Sequence, residues 1–261
     1  MFPNLASMFL FIFCLFAGML ATMEAGRRIG VRRRARDPEG AEIGLGTING
    51  AVFGLMGLLI AFTFSGAAAR FDKRRELVVQ EANNIGTAYL RLDLLPASAQ
   101  PALRERFRRY VDARIAAYRA LPDADAAAAK LNESNLIQTE IWNLAVAATK
   151  AVEVNGEAAT SLVLASMNEM IDITTTRTVA LHTHLPPVIL IMLGVLVLGG
   201  SLISGYELSG AKERNLLHAV SFAVLMACVI YVILDMEHPR VGLIRLDNFD
   251  QVMTDVRQSI K

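Results

Sequence analysis

The chain contains the stretch GLGTINGAVFGLMGLLIAFTF at residues 44–64, which is apolar and rich in glycine. It leads into the charged stretch RFDKRRELVVQEANNIGTAYLRLDLL at residues 70–95, and the first proline after both stretches is Pro96. Gly66 and Gly86 are isolated and cost a helix only about 1 kcal/mol each. The two stretches therefore predict one helix that crosses a membrane and continues into water, over roughly 75–80 Å in total.

The apolar part of this helix has three faces when it is wound at about 100° per residue. One face consists of small residues, which let another membrane helix approach closely. The far side is bulky, includes Phe62, and suits lipid. The third face is a stripe that could pack inside one subunit or line a pore between several subunits. The predicted packing glycines are Gly46, Gly50, Gly54 and Gly57, and the stripe consists of Asn49, Phe53, Met56, Ile60 and Phe64.

The composition indicates that the rest of the chain also belongs to a membrane protein. Hydrophobic residues make up 54% of the 261 residues, and the mean hydropathy is +0.40. Three further apolar runs, at about residues 5–23, 187–206 and 216–234, predict three more membrane spans. The net charge of +1 argues against a nucleic-acid-binding protein. Both cysteines fall in predicted spans, so a structural disulfide is not expected.

Six arginines occur in the loop predicted after the first span, GRRIGVRRRARDPEGAE at residues 26–42. A short arginine-rich loop next to membrane spans is normally cytoplasmic. A topology signal explains these arginines, and a site for anionic lipid head groups is the open alternative. The side of the membrane on which the middle of the chain lies stays open.

The middle of the chain predicts a helical bundle outside the membrane. Phe71, Val78, Ile85 and Leu92 recur every seven residues on the long helix, which is typical of a coiled-coil-like seam. Short connections separate the next amphipathic helices, and an antiparallel bundle follows from such an arrangement. Ser98 is predicted to cap the second helix of the bundle and Asp123 the third.

Two polar residues, Glu81 and Asn84, lie close to this seam. A buried carboxylate needs a cation or hydrogen-bond donors, and Arg74 is the nearest candidate on the same helix. His182 and His184 have no acidic or cysteine neighbours at ligand spacing, so we expect no metal site and no cofactor. The sequence also has none of the usual hydrolase, phosphate-loop or metalloprotease motifs, so we do not expect an enzyme.

Four segments follow from these patterns. They are the first two spans (1–64), the helical bundle (65–184), the last two spans (185–234) and a C-terminal segment (235–261). The C-terminal segment begins with a predicted turn and ends in a short amphipathic helix. The residues that mark the turn are Asp235, Pro239, Gly242 and Arg245.

The layout and two motifs resemble the bestrophin-like family of bacterial membrane proteins. The motifs are LLIAFTFSGAAARFDKRRELVVQEANNIGTAYLRLDLLP at residues 58–96 and DMEHPRVGLIRLD at residues 235–247. This family is distantly related to bestrophin anion channels, which are pentamers with an apolar neck on the second span. The resemblance implies that Met56, Ile60 and Phe64 form the neck.

We therefore expect an all-α inner-membrane protein with four transmembrane helices and an extramembrane helical bundle between the second and third. The expected function is an oligomeric channel for small inorganic ions, with anions favoured by the resemblance. Its expected partners are the lipid bilayer and further copies of the chain, with a pentamer implied by the resemblance. The alternative is a non-conducting scaffold or sensor whose bundle binds a partner protein. A channel should turn the stripe toward the axis of a ring, whereas a scaffold should bury it within one subunit or a dimer.

Overall fold

The structure is a computed structural model that describes residues 4–37, 45–121, 123–150, 156–210, 216–239, 242–244 and 247–260. These residues hold eight α-helices and no strand, which confirms the all-α prediction. The helices are α1 (Leu5–Arg36), α2 (Leu45–Leu90), α3 (Gln100–Ala120), α4 (Ala124–Thr149), α5 (Glu157–His182), α6 (Pro187–Glu207), α7 (Leu216–Glu237) and α8 (Asp247–Ser259).

Four helical stretches are long and apolar enough to cross a membrane, as predicted. They lie within Leu5–Arg36, Asn49–Leu94, Glu157–Gly210 and Leu216–Glu237. The second stretch includes most of α2, which is a single helix from its apolar part into its charged part. A 3₁₀ turn at Arg91–Leu94 follows α2 directly, and the helical path ends just before Pro96, as the sequence predicts.

The arginine-rich segment is helical up to Arg36, so its prediction as a loop was wrong. Residues 26–36 continue α1, because nothing before Pro38 interrupts the helix. Asp37 ends it in a non-helical conformation, which the following proline favours. Arginines in the last turn are also favourable there, because the carbonyl end of a helix carries partial negative charge.

The chain divides into two compact units. The first consists of Met1–Ala69 and His184–Leu243, and the second of Arg70–Thr183 and Ile244–Lys261. The C-terminal segment 235–261, expected as one piece, is shared between them. Its first part belongs with the membrane helices, whereas α8 belongs with the bundle.

In the first unit, α1 and α6 touch backbone to backbone. A Cβ atom added to Gly26 would clash with the Leu202 carbonyl, and one added to Gly205 would clash with the Met23 carbonyl. Glycine is needed at both positions because the two helices leave no room for any side chain. The backbone contact between α1 and α6 therefore uses glycines other than those predicted on α2.

The second unit is a helical bundle with one apolar core. The seam positions Val78, Ile85 and Leu92 are fully buried in it, together with residues of α3, α4, α5 and α8. These three residues of the predicted coiled-coil-like seam thus face a core that several helices share. Asp123 caps α4 by accepting a hydrogen bond from the Ala126 N–H at 3.0 Å, as predicted. The predicted cap at Ser98 was wrong, because α3 begins after Ala99 and has no side-chain cap.

Candidate functional site

The first half of the predicted pore stripe on α2 faces the interior of its own unit. Asn49 is buried and donates a hydrogen bond to Glu207 at the end of α6. Met56 is 4% exposed, and both it and Phe53 lie within van der Waals contact of the Cβ position of Gly200 on α6. Within one chain, α6 therefore occupies space that these three side chains face, and their assignment to a pore stays a prediction.

The second half of the stripe is more open. Ile60 is half-buried, and Phe64 is 43% exposed. Phe62, which the sequence assigns to the lipid-facing side, is 67% exposed. At about 100° per residue, Phe62 and Phe64 point in nearly opposite directions from the helix axis.

The glycine face of α2 has no packing partner within the described chain. A Cβ added at Gly46, Gly50, Gly54 or Gly57 would meet no atom within 4 Å. These glycines were predicted to pack helices together, and within one chain they do not. The orientation of α2 about its own axis places the bulky stripe against α6 and leaves the glycine face open. This follows because large side chains gain more contacts from an apolar interior than glycines do.

A buried charge cluster lies at the centre of the bundle. Glu81 on α2 accepts a hydrogen bond from Arg114 Nε of α3 at 2.6 Å, and another from Arg177 Nη1 of α5. Arg114 also donates to the Tyr118 hydroxyl, and the Arg177 guanidinium lies 3.6 Å from the centre of the Tyr118 ring. All three charged side chains are at most 4% exposed. We call Glu81, Arg114, Arg177 and Tyr118 the buried charge cluster.

The protonation states in this cluster are fixed by its neighbours. Burial raises the pKa of Glu81, but the Arg114 and Arg177 guanidiniums outweigh burial and hold it below its ordinary value. Burial also raises the pKa of the Tyr118 hydroxyl, and the Glu81 carboxylate adds to that rise. The cluster therefore carries two positive charges and one negative charge at neutral pH. A tertiary network of this kind locks three helices in one register, since each charge is costly to leave unpaired.

Glu81, which the sequence marks as a possible buried carboxylate, is fully buried, and among the described residues its cationic partners are Arg114 and Arg177, whereas the sequence suggested Arg74. Arg74 is buried and donates to the backbone carbonyls of Ala180 at 3.2 Å and Thr183 at 2.7 Å. These carbonyls lie at the end of α5, where a cation is favourable. Asn84 is half-buried and donates to the Glu169 carbonyl at 2.9 Å.

Sequence reasoning missed both arginines of the cluster, although a signal for each was present. Arg114 lies on the same helical face as Phe107, Tyr110 and Val111, which are all fully buried. Arg177 lies one turn after Thr174 on the buried face of α5. A charged residue on an otherwise apolar face requires a buried counter-charge, and Glu81 is the acidic residue that meets this need.

The predicted turn after the last span is built around Asp235. Its buried carboxylate accepts the Leu243 backbone N–H at 2.9 Å. Gly242 is required there because a Cβ would clash with that carboxylate. Pro239 is buried in the same turn, and Arg245 lies outside the described residues. Near this turn, Glu237 is buried and accepts the Leu185 backbone N–H at 3.1 Å.

Comparison with known proteins agrees with this architecture. The Bestrophin-like domain family matches residues 12–248. A crystallised point variant of a bacterial bestrophin homologue from Klebsiella pneumoniae is similar in fold, with a TM-score of 0.71, 12% identity, and coverage of 94% of this chain and 98% of that one. Another structure of a Klebsiella pneumoniae bestrophin homologue, solved by zinc phasing, gives a TM-score of 0.68 at 12% identity, covering 92% of this chain and 97% of that one. No curated protein matches the sequence.

The fold is thus that of a four-span helical membrane protein with an inserted bundle. The chain belongs to the Bestrophin-like family, since the family match spans nearly its whole length.

Proposed function

We propose that this protein is an oligomeric anion channel of the inner membrane whose neck lies on α2. The observation that carries the proposal is the open glycine face of α2, next to the exposed Phe64. Glycines along a membrane helix allow backbones to approach closely, and in a single described chain nothing approaches these. Further copies of the chain would supply the missing neighbours.

The family supports the same conclusion. Bestrophin homologues are known as anion channels, and this chain shares their family and their fold. A channel needs no catalytic residues, which agrees with a sequence that has no enzyme motif. We assign the neck to Ile60 and Phe64, because Met56 packs against α6 and is not available to a pore. An apolar constriction of this type can gate by wetting and drying.

The test is chloride flux into liposomes that contain the purified protein. Phe64→Ala should raise the flux or change its selectivity, because it widens the neck. Phe62→Ala removes an equally large ring from the opposite side of the same helix and is the matched control. We expect flux from Phe62→Ala to match wild type. Ile60→Ala should change the flux in the same direction as Phe64→Ala.

Two outcomes would refute the channel. One is the absence of chloride flux from wild type and all three variants, with each protein folded and inserted. The other is an equal change of flux in Phe62→Ala and Phe64→Ala, since the neck would then not lie on the face assigned to it.

A non-conducting scaffold or sensor, whose bundle binds a partner protein, is the second candidate. It is favoured by the packing of Asn49, Phe53 and Met56 inside one chain, which a scaffold requires and a pore stripe does not. The particle mass in detergent separates the two candidates. A channel should be a ring of several copies, whereas a monomer or dimer without chloride flux would support the scaffold.

A further inference from the structure

The last part of α1, residues 24–36, continues beyond the apolar run that predicts the first span. As a helix, the apolar run at residues 5–23 is about 28 Å long, which matches the roughly 30 Å hydrocarbon core of a bilayer. The arginines that follow it therefore begin at the level of the lipid head groups. Because this part of the chain is a helix and not a loop, its position along the helix sets the direction of each side chain.

One side of this segment packs within the first unit, and another side is open. Gly26 and Gly30 lie so close to the end of α6 and to Ser209 that no side chain would fit at either position. The arginines on another side of the helix are all exposed, and at about 100° per residue they fall within an arc of about 100°. They are Arg32, Arg33 and Arg36, and we call them the arginine face of α1.

The arginines of the segment differ in their partners. Arg27 and Arg28 pair with Glu24 at 3.1 Å and 2.8 Å. Arg34 Nε donates a hydrogen bond to the Ser209 hydroxyl at 3.1 Å. Among the described residues, no side-chain hydrogen bond or ion pair involves the arginine face. These three guanidiniums are therefore open to a ligand from outside the chain.

Apolar side chains lie among these arginines. Ile29 falls within the arc of the arginine face and is 50% exposed, and the nearby Val31 is 45% exposed. Arginines interspersed with exposed apolar residues are typical of helices that lie at a membrane surface. A topology signal depends on the number of positive charges and requires neither a common face nor apolar neighbours. The arrangement therefore points to contact with lipid in addition to a role in topology.

The geometry of the helix directs the arginine face toward the membrane. Side chains of an α-helix tilt toward its N-terminus, and in α1 the N-terminal part is the apolar span. Long arginine side chains rest their methylenes on apolar surface and keep the charged end in a polar layer. A guanidinium can donate two parallel hydrogen bonds to a phosphate group, which is the acceptor that this layer of a bilayer supplies.

We propose that the arginine face of α1 binds the phosphate groups of anionic phospholipids in the surrounding bilayer. Arg32, Arg33 and Arg36 would hold the phosphates, and Ile29 would contact the apolar part of the same lipids. A phospholipid satisfies both kinds of side chain, whereas a soluble phosphate offers nothing to Ile29. Clusters of basic residues directly after a membrane helix bind anionic lipids with a gain of affinity for each residue. This surface lies in the first unit and does not depend on whether α2 conducts ions.

The test uses the full-length protein in a neutral detergent, with dioctanoyl phosphatidylglycerol as the probe. The thermal unfolding midpoint is followed as the lipid increases at constant ionic strength, and native mass spectrometry counts the bound lipids. We expect a saturable rise of the midpoint and retained phosphatidylglycerol. Dioctanoyl phosphatidylcholine, which has no net charge, should give no saturable rise. Glycerol 3-phosphate, which has the phosphate without acyl chains, should give none either.

Two triple variants place the lipid on the arginine face. Replacing Arg32, Arg33 and Arg36 with glutamine should weaken phosphatidylglycerol binding about 100-fold. Replacing the same three with lysine keeps the positive charge that topology requires but removes the paired hydrogen bonds to phosphate. The lysine variant should therefore insert as wild type does and bind the lipid about fivefold more weakly.

The matched control removes the same number of positive charges from the bundle. Arg108, Arg109 and Arg119 lie on α3, and replacing all three with glutamine should leave phosphatidylglycerol binding unchanged.

Four results would overturn the proposal. The first is no saturable effect of phosphatidylglycerol on wild type, and the second is an equal effect of phosphatidylcholine or glycerol 3-phosphate. The third is an equal loss of binding in the control from α3, because net charge alone would then explain it. The fourth is wild-type affinity in the lysine variant, which would reject recognition of phosphate by the guanidiniums. Since the lysine variant keeps every charge, this last result decides the question even if the glutamine variant fails to insert.

Discussion

In the first unit, which holds the membrane helices, α1 and α6 meet through the bare backbones of Gly26 and Gly205. In the bundle, α2, α3 and α5 meet around the carboxylate of Glu81 and two arginines. Lipid supplies no hydrophobic drive between membrane helices, so close backbone packing has to hold them. In water, apolar burial holds the bundle, and the charge cluster adds a specific register.

The largest effect is expected from Glu81→Gln, which leaves Arg114 and Arg177 without their counter-charge. Removing one partner of a buried ion pair costs about 3–5 kcal/mol. The free energy of unfolding of the bundle, measured with denaturant in mild detergent, should fall by that amount. Glu76→Gln is the control on the same helix, because Glu76 is exposed and pairs with the exposed Lys73. If both variants lowered the free energy of unfolding equally, the buried charge cluster would not stabilise the bundle more than an exposed ion pair does.

A smaller effect is expected from Gly205→Ala in the membrane unit. Its methyl group would clash with the Met23 carbonyl, and overpacking of this kind costs about 1–3 kcal/mol. Gly194→Ala is the control in the same helix, because a Cβ there meets nothing within 4 Å. Thermal unfolding in detergent should show a lower midpoint for Gly205→Ala alone. If Gly194→Ala were as damaging, backbone contact would not explain the packing of α1 and α6.

Arg74→Gln should destabilise the bundle by about 1.5 kcal/mol, since it loses charge-assisted bonds to the carbonyls of Ala180 and Thr183. The last turn of α5 should fray, which faster amide hydrogen exchange at residues 180–183 would reveal. The neighbouring Arg75 is more exposed and pairs with Asp72, so Arg75→Gln is the control. Unchanged exchange in Arg74→Gln would show that Arg74 does not hold this helix end.

The smallest effect is expected from pH. The folded-state pKa of Glu81 is below its ordinary value of 4.5, because the two guanidiniums outweigh burial. Its contribution to stability is therefore complete above the unfolded pKa and is lost as pH falls through the folded pKa. The difference in unfolding free energy between wild type and Glu81→Gln should stay constant above about pH 4.5 and shrink below it. A difference that shrank as pH rose instead would reverse the assigned direction.

The two units also differ in how far the sequence predicts them. The apolar runs predict the four membrane helices, and the seven-residue repeat predicts the buried positions Val78, Ile85 and Leu92. The orientation of α2 was not predicted, because a helical wheel shows which residues share a face but not which face meets a neighbour. The partner of Glu81 was missed for the same reason, since Arg114 and Arg177 are far away in the chain.

The membrane class, the number of spans and the continuous helix α2 follow from the amino-acid sequence, because hydropathy and helical period are properties of the chain alone. The resemblance to the Bestrophin-like family rests on two motifs and the layout of the chain, and the family match confirms it. The three-dimensional packing was needed to show that Met56 packs inward while the glycine face of α2 stays open. It was also needed to show that Arg114 pairs with Glu81 at the edge of a cleft. Contacts of this kind depend on which surfaces meet in space, and residues far apart in the chain carry no local signal of their meeting.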